Sequence, residues 1–321
     1  MSEVSILIVG AGQIGSRHLQ GLAKLDMDAK IFVVDPDTNA LAIAKSRYDE
    51  ALVGSKNHSV SFCESLSLVE GNVDVGIIAT NARIRKKIVH SIVANITIKY
   101  LILEKIAFQS KSDFIEILQL LNRLGIQAWV NCPRRLYSVY RQIKSCLDIT
   151  SPLHMSITGG NWSLGSNSIH WLDLFHFLLE DAHLSHHCSN LEEKVYKSKR
   201  EGYIELFGEL TFASRVNKLY LYSASQVTCP PFIHIENGHQ RFLIDERNGQ
   251  YTRYTADDQW KPNRQSFAVP LQSDLTHQVI ADIMHHGKCH LALLEMALLS
   301  HQPLFDALAD YHVKNIMLSV T

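Results

Sequence analysis

The stretch Val4-Ser-Ile-Leu-Ile-Val-Gly-Ala-Gly-Gln-Ile-Gly15, continued as far as Asp35, decides how the first part of the chain folds. Its apolar, β-branched start stops at the first glycine, and a helix-forming segment continues to about Leu25. A second apolar run, Ile31-Phe-Val-Val34, then ends in Asp35. This order of strand, glycine turn, helix, strand and acid is typical of the dinucleotide-binding βαβ unit. A glycine turn alone is weak evidence, and an ordinary α/β turn with a surface aspartate is the alternative interpretation.

Each glycine of the turn has a physical role in the predicted unit. Gly10 allows the tight turn, Gly12 lets backbone N–H groups approach a pyrophosphate, and Gly15 lets the helix lie close to the strand. The helix begins near Gln13 and Ile14, and its N-terminus would face the anion with the positive end of the helix dipole. These five residues are therefore predicted to bind the cofactor.

Asp35 also indicates which cofactor is bound. A carboxylate at this place accepts hydrogen bonds from both hydroxyls of the adenosine ribose and would repel a 2′-phosphate. Pro36 follows, at a position where an NADP enzyme could carry an arginine. The sequence therefore predicts NAD, with NADP as the weaker alternative.

The composition limits the class of protein. A chain of 321 residues can form two domains, and 46% hydrophobic residues with a net charge of −1 give no sign of binding to nucleic acid or to an anionic membrane surface. The longest apolar stretches, such as 291–299, are too short to span a bilayer, and the early first strand leaves no room for a signal peptide. The six cysteines form no Cys-x-x-Cys pair, so we expect reduced thiols and a cytoplasmic protein.

The chain has 17 histidines, and two groups of them include a cysteine. The groups are His183, His186, His187 and Cys188, and His285, His286, Cys289 and His290. Zinc needs four converging ligands, and neither group has the spacing of a zinc finger or ribbon. We therefore expect no metal site.

Apolar strand patterns and helices alternate along residues 1–130. Helical spacing occurs over 39–48, 83–95 and 111–124, with a strand pattern after each helix. Such alternation predicts a doubly wound parallel sheet, a Rossmann domain over residues 1–130. Ligands bind such sheets at the carboxyl ends of the strands. The residues predicted at those ends are Gly10, Asp35, Thr80, Glu104 and Asn131.

The pattern changes in residues 131–321, which we predict to form a second, α+β domain. A linking helix is expected over 134–147, a strand over 154–162 and a helix over 169–179. Several stretches after residue 204 alternate with period two, and Asn237-Gly238 and Asn248-Gly249 separate some of them as hairpins. Helices over 275–286 and 291–314 are expected to end the chain. The alternation predicts an open, mainly antiparallel sheet with one covered face. Its free face is where a partner subunit would dock.

Four short motifs follow one another in a recognisable order: Gly10-Ala-Gly-Gln-Ile-Gly-Ser-Arg-His18, Ala79-Thr80, Glu104-Lys105 and His170-Trp-Leu-Asp173. Together they resemble the Gfo/Idh/MocA family, which contains glucose–fructose oxidoreductase, inositol dehydrogenase and nucleotide-sugar dehydrogenases. The resemblance covers essentially the whole chain. It implies a homodimer or homotetramer built on the open sheet.

The resemblance also implies roles for individual residues. Glu104 would approach the nicotinamide ribose, and Lys105 would stand beside the nicotinamide and bond the hydroxyl that is oxidised. A lysine beside a cationic ring could have a lowered pKa and assist proton movement. His170 would be the acid/base partner, because imidazole titrates near neutrality. The alternatives are a solvated strand-end charge for Lys105 and a helix-start histidine bonded to Asp173 for His170.

The chain departs from the family pattern at several positions. Ile106 replaces the proline of Glu-Lys-Pro, while Asn81 and Arg85 replace a proline and a histidine after Ala79-Thr80. With Thr80, Asn81 and Arg85 are still predicted on the cofactor side. Ser166 stands where many members have a second catalytic carboxylate, and a serine cannot hold an anion beside the histidine.

Several residues are predicted on the substrate side. Asn161, Trp162 and Asn167 suit a sugar, because amides bond hydroxyls and an indole stacks on a pyranose face. Ser166 and Asp173 belong to the same predicted site. Arg134 or Arg135 could meet a substrate carboxylate or phosphate, or could be a solvated helix start.

The first hypothesis is an NAD-dependent oxidoreductase that acts on a secondary alcohol of a sugar derivative, such as a nucleotide-linked or amino sugar. A second is a redox-neutral epimerase or lyase that uses tightly held NAD transiently. A third is a catalytically silent NAD- or sugar-binding protein, which the serine at 166 and the isoleucine at 106 keep open.

Overall fold

The computed structural model describes residues 3–52, 57–179, 183–194, 196–198 and 202–312. The chain forms two compact units. Met1–Pro133 and Pro270–Glu295 make up the first, and Arg134–Val269 and Met296–Thr321 make up the second. The predicted domain boundary near residue 130 lies close to the first point where the chain passes from one unit to the other. Residues 270–295 were predicted in the second domain, but they lie in the first unit.

The described strands, in chain order, are β1 (Val4–Val9), β2 (Ala29–Val34), β3 (His58–Cys63), β4 (Val73–Ile78), β5 (Ile98–Glu104), β6 (Gln127–Asn131), β7 (His154–Gly160), β8 (Ser185–Leu191), β9 (Tyr196–Lys197), β10 (Ile204–Glu205), β11 (Gly208–Ala213), β12 (Lys218–Ala224), β13 (Cys229–Glu236), β14 (Gln240–Asp245), β15 (Gln250–Thr255), β16 (Asn263–Ser266) and β17 (Ala292–Leu293). The described α-helices are α1 (Gln13–Leu22), α2 (Thr38–Ala51), α3 (Ala82–Asn95), α4 (Lys111–Leu124), α5 (Ser138–Cys146), α6 (Leu164–Leu179), α7 (Thr276–His286) and α8 (Leu294–His312).

The first unit contains a seven-stranded sheet in the order β17-β6-β5-β4-β1-β2-β3. Strands β1 to β6 run parallel, and β17 is antiparallel to β6. The central strands are apolar on both faces, as Ile6, Leu7 and Ile8 are fully buried. The predicted Rossmann domain is confirmed, and the carboxyl ends of β1, β2, β4, β5 and β6 share one edge of the sheet.

Long-range contacts explain why residues 270–295 belong to the first unit. The turn Gln272–Asp274 and α7 pack on α1, where an added Cβ at Gly21 would lie 3.0 Å from the Thr276 Cβ. Lys24 Nζ and Asp274 Oδ1 are 2.6 Å apart, and β17 extends the sheet. Contacts between residues about 250 positions apart leave no trace in local periodicity, which is why the sequence assigned the segment wrongly.

The second unit contains an eight-stranded sheet in the order β16-β15-β14-β13-β7-β12-β11-β8. All neighbouring strands are antiparallel except β7 and β12, which are parallel. Leu219 and Leu221 lie on its covered face, against which α6 packs, while Phe232 is exposed on the other. The predicted open, mainly antiparallel sheet is therefore confirmed.

Three elements predicted after residue 131 differ from the structure. The linking helix predicted over 134–147 is a 3-10 turn, Pro133–Leu136, followed by the extended Tyr137 and then α5. Helix α6 begins at Leu164 rather than near residue 169, because Leu164 and Ile169 are buried and packing overrides weak helix formers such as Gly165. The predicted last helix begins later, at Leu294, and its residues 313–314 lie outside the described part of the chain.

None of the helices in the described residues combines the length and apolar character needed to cross a membrane.

Candidate cofactor and active site

The glycine turn after β1 is closely packed at two of its three glycines. Gly10 has a φ of +95°, and a Cβ there would lie 2.9 Å from the Thr80 nitrogen. A Cβ at Gly15 would lie 1.8 Å from the Gly10 oxygen. At Gly12 nothing lies within 4 Å of an added Cβ, so that glycine faces open space. The turn therefore provides room beside Gly12, where the sequence predicts the pyrophosphate.

The N-terminus of α1 begins at this open space. Gly12 is its N-cap, no side chain caps it, and no acid occurs in its first turn. The first N–H groups of a helix have no intrahelical partners, so this end can take an anion. The Arg47 guanidinium of α2 donates to Gln13 Oε1 at 3.0 Å and to Ser16 Oγ at 2.5 Å, which adds positive charge at the same helix end.

Asp35, which follows β2, is hydrogen-bonded to the backbone of the glycine turn. Its Oδ2 accepts a hydrogen bond from the Ala11 N–H at 2.7 Å, and its Oδ1 accepts one from the Asp37 N–H at 2.9 Å. Each carboxylate oxygen has a second lone pair, so both can still accept a bond from a hydroxyl.

The end of β4 carries Thr80 and Asn81. The Thr80 hydroxyl oxygen is buried and has no hydrogen-bond partner among the described residues. Asn81 is the exposed N-cap of α3, and its side chain makes no cap bond. A buried hydroxyl without a partner and an open glycine turn on the same sheet edge both fit a polar ligand such as a dinucleotide.

Glu104, at the end of β5, is the centre of a buried polar network. Its Oε1 lies 3.0 Å from His18 Nε2 and accepts a bond from the Asn131 amide at 2.5 Å. His18 Nδ1 lies 3.0 Å from Thr276 Oγ1, and Gln272 accepts a second bond from Asn131 at 3.0 Å. Burial alone would raise the pKa of Glu104, but the bond and charge of His18, the Asn131 amide and the Arg85 charge together lower it. The network therefore favours a carboxylate.

Arg85 is buried and bonded to backbone carbonyls at the same edge. Its Nη1 donates to the carbonyl oxygens of Ile106 and Ala107, and its Nη2 donates to that of Thr80. Lys105 is half-buried and follows Glu104 directly, and its peptide bond to Ile106 is cis.

In the second unit Arg134 is bound within the protein. Its Nε and Nη2 donate to the two oxygens of Glu246 at 2.9 and 2.8 Å, and its guanidinium lies 3.8 Å from the centre of a Trp171 ring. The Tyr140 hydroxyl donates to Glu246 Oε1 at 2.7 Å. Burial alone would lower the pKa of Arg134, but the charge of Glu246 raises it above its usual range. A substrate anion would have to compete with Glu246.

Asp173 is likewise paired, with Arg135 rather than with His170. Arg135 Nε and Asp173 Oδ2 are 2.7 Å apart, and the Asp173 side chain is 2% exposed. His170 lies in the second turn of α6 and not at its start, because the helix begins at Leu164. The alternative interpretation of His170, a helix-start histidine bonded to Asp173, therefore does not describe this helix.

The remaining predicted substrate residues lie at and before the start of α6. Asn161 has a φ of +57°, and its amide donates to Thr228 Oγ1 at 3.0 Å. The Trp162 indole N–H donates to the backbone carbonyl oxygen of Tyr222 at 3.1 Å. The Asn167 amide donates to the Trp162 oxygen at 2.5 Å and to Ser166 Oγ at 3.2 Å. These amides help to hold the turn in place.

The two histidine–cysteine groups do not converge as metal ligands do. His186, His187 and Cys188 lie on β8, the strand at one edge of the second sheet, and the other group lies at the end of α7 and after it. Across the described ranges, no three His, Cys, Asp or Glu side chains are grouped for a metal ion.

The structure brings the predicted cofactor residues together at one edge of the first sheet: the glycine turn, Asp35, Thr80, Asn81, Arg85 and Glu104. Lys105, predicted to be catalytic, directly follows Glu104 at the same edge. Arg134, Asn161, Trp162, Ser166, Asn167, His170 and Asp173 lie on α6 or near it in the second unit. The sequence did not single out Glu246, Tyr140, Gln272 or Thr276, which are distant in sequence from their partners. His18 was visible in the first motif, and Asn131 as a strand end.

The chain shares its fold with solved two-domain oxidoreductases. An oxidoreductase from Agrobacterium radiobacter in complex with NAD+, L-tartaric acid and magnesium superposes with a TM-score of 0.69 at 14% identity, over 96% of each chain. A putative NADPH-dependent oxidoreductase from Desulfitobacterium hafniense has a TM-score of 0.73 at 13% identity, over 98% of this chain and 97% of that one. A UDP-N-acetylglucosamine 3-dehydrogenase from Acidithiobacillus ferrooxidans has a TM-score of 0.66 at 11% identity, over 96% and 97%.

Comparison of sequences adds no relative. No family model matches the chain, and no curated protein matches it. The resemblance seen in the motifs is thus supported by fold alone.

Proposed function

We propose that this protein is an NAD-dependent oxidoreductase that transfers a hydride between a secondary alcohol of a sugar derivative and nicotinamide. The observation that carries the proposal is the glycine turn, which is open at Gly12, leads into an uncapped helix N-terminus and is bonded to Asp35. The shared fold supports the same class of reaction. A sugar derivative is supported by the motif resemblance and by the amide and indole groups near α6.

The choice of NAD rests on the charge at the end of β2. Asp35 keeps acceptor positions on both oxygens, and Asp37 adds a second carboxylate two residues later. Two carboxylates would repel a 2′-phosphate and would accept bonds from ribose hydroxyls.

The bound cofactor would accept the hydride at its nicotinamide ring. The first N–H groups of α1 would bind the pyrophosphate, Asp35 the adenosine ribose, and Glu104 and Thr80 would face the nicotinamide side. Lys105 would hold the hydroxyl that is oxidised and move its proton. For His170 an acid/base role remains a proposal of its own, to be tested by His170→Asn in the same assay.

The second unit supports a further proposal, that the protein is a homodimer or homotetramer built on its open sheet. Phe232 is 44% exposed on the free face, and such a residue on a wide face suits a partner subunit. Light scattering of the protein and of Phe232→Glu would test this; a monomer at all concentrations contradicts it.

The experiment that tests the function follows nicotinamide absorbance and fluorescence of the protein with NAD, against a panel of inositols, free sugars and nucleotide amino sugars. We expect a net rise in NADH with one substrate class. If NAD binds tightly and the substrate is converted to a product without net formation of NADH, the redox-neutral alternative would instead be established. Binding of NAD or a sugar with neither product nor NADH would establish the silent binding protein.

A further inference from the structure

Arg85 is one of the largest side chains that are fully buried in the described residues, at 1% exposure. It lies on α3, and its guanidinium reaches three main-chain carbonyls. They belong to Thr80, which follows β4, and to Ile106 and Ala107, which follow β5. The Nη1–Ala107 oxygen distance is 2.8 Å. One side chain therefore joins two neighbouring strand ends.

These bonds suit a guanidinium in particular. A buried charge is costly unless it is hydrogen-bonded, and Arg85 stays charged because its pKa is far above neutrality. Its rigid planar fork can donate in two directions at once, whereas a lysine ammonium is a single point at the end of a flexible stem. A glutamine has the donors of one amide only, so neither replacement can hold both strand ends equally well.

Three of the departures from the family pattern lie at or next to this contact. Asn81 and Ile106 follow β4 and β5 where the resemblance predicts prolines, and Arg85 stands where it predicts a histidine. A proline restricts its own backbone, and here the side chain of Arg85 restricts the same two turns from outside. Lys105 directly precedes Ile106, whose carbonyl accepts a bond from Arg85.

We propose that Arg85 is a positioning residue for the nicotinamide end of the cofactor, acting without touching it by holding the carboxyl ends of β4 and β5 together. This rests on the proposed function, since it takes a nicotinamide dinucleotide as the ligand of this sheet edge. Asp35 and the N-terminus of α1, which would bind the rest of the dinucleotide, are expected to work without Arg85.

The test compares the binding of NAD with that of ADP-ribose, which lacks the nicotinamide, by titration calorimetry. The variants are Arg85→Gln and Arg85→Lys. Lys87→Gln, an exposed position on the same helix, is the matched control. We expect Arg85→Gln to lose about tenfold in NAD affinity, equivalent to about 1.4 kcal/mol, and to bind ADP-ribose like the unaltered protein. Arg85→Lys should lose less, and the control should lose nothing.

Two results would overturn the inference: NAD affinity unchanged in Arg85→Gln, or an equal loss for NAD and ADP-ribose, which would mark a general structural role. Full NAD affinity in Arg85→Lys would also overturn it, because charge alone would then suffice. If the unaltered protein binds neither ligand, it is the proposed function that fails.

Hydrogen exchange on the unaltered protein keeps the inference testable if the variants do not fold. NAD should slow exchange of the Ile106, Ala107 and Phe108 amides more than ADP-ribose does. Equal protection by the two ligands would show that these strand ends do not meet the nicotinamide, and would overturn the inference.

Discussion

The two units differ in the groups that bond their largely buried charged side chains. In the second unit Arg134 and Arg135 are each paired with a carboxylate, so the charges cancel in place. In the first unit Arg85 donates to backbone carbonyls, and Glu104 is bonded to the His18 imidazole and to the Asn131 amide. We therefore expect the charges of the second unit mainly to stabilise it, and those of the first to act at the sheet edge where the proposed cofactor would bind.

The largest expected effect is on Lys105, the charge that follows Glu104 on that edge. Lys105→Met should lower kcat by about 10²- to 10⁴-fold, the usual range for a lost acid/base group, while NAD still binds. Lys99→Met, on the exposed part of the same strand, is the control and should leave kcat unchanged. Steady-state kinetics with calorimetry of NAD binding measure both. Loss of NAD binding in Lys105→Met would count against a catalytic role.

The second prediction tests whether cancelled charges serve stability. Glu246→Gln leaves Arg134 buried without its carboxylate and should lower the free energy of unfolding by about 3 kcal/mol. Glu236→Gln removes the ion pair with Arg241 on the same sheet, where the Arg241 and Glu236 side chains are 49% and 35% exposed. It should lower the free energy of unfolding by less than about 1 kcal/mol. Urea unfolding measures both. Similar losses in the two variants would contradict the contrast.

The double variant Arg134→Met/Glu246→Leu sharpens the same test. Removing both charges at once leaves none unpaired, so most of the stability lost in Glu246→Gln should return.

The third prediction concerns the anchor of the glycine turn. Asp35→Ala removes the acceptor of the Ala11 N–H and the expected ribose partner, and should weaken NAD about tenfold, or about 1.4 kcal/mol. The difference in binding affinity between NAD and NADP should become smaller. Asp49→Ala, a side chain on α2 that is 55% exposed, controls for loss of charge. An unchanged preference between the two cofactors would remove Asp35 from the site.

The smallest expected effect is the pH dependence of Glu104. Its folded-state pKa lies below the ordinary value of 4.5, so the carboxylate contributes stability above that pH and loses it as the pH falls through the lowered pKa. Glu104→Gln should therefore be less stable than the unaltered protein near neutrality, by about 1 kcal/mol, with a gap that closes in acid. Urea unfolding between pH 7 and about 3.5 would show it, with the exposed Glu70→Gln as control. A stability difference between Glu104→Gln and the unaltered protein that grows in acid would contradict the prediction.

Much of the first unit was predictable because its signals are local. The run that ends at Gly10, the helix stopped by Gly125 and the strand end at Glu104 each depend on neighbours a few residues away. The start of α6 was not predictable, because Gly165, Ser166 and Asn167 are weak helix formers that burial makes helical. The predicted cofactor residues follow from strand ends, whereas the bonds of Arg85 to the residues after β5 and of Glu246 to Arg134 join positions 21 to 112 apart in the sequence.

The sequence by itself determined the fold class, the parallel sheet with its glycine turn, the open antiparallel sheet, and the edge on which a dinucleotide would bind. Periodicity and turn chemistry carry that information within about ten residues. Only the tertiary structure decided that residues 270–295 return to the first unit, that Arg134 and Asp173 have internal partners, and that Arg85 joins two strand ends. Those outcomes depend on which side chains meet across long sequence separations, where packing and the need to pair every buried charge select the partners.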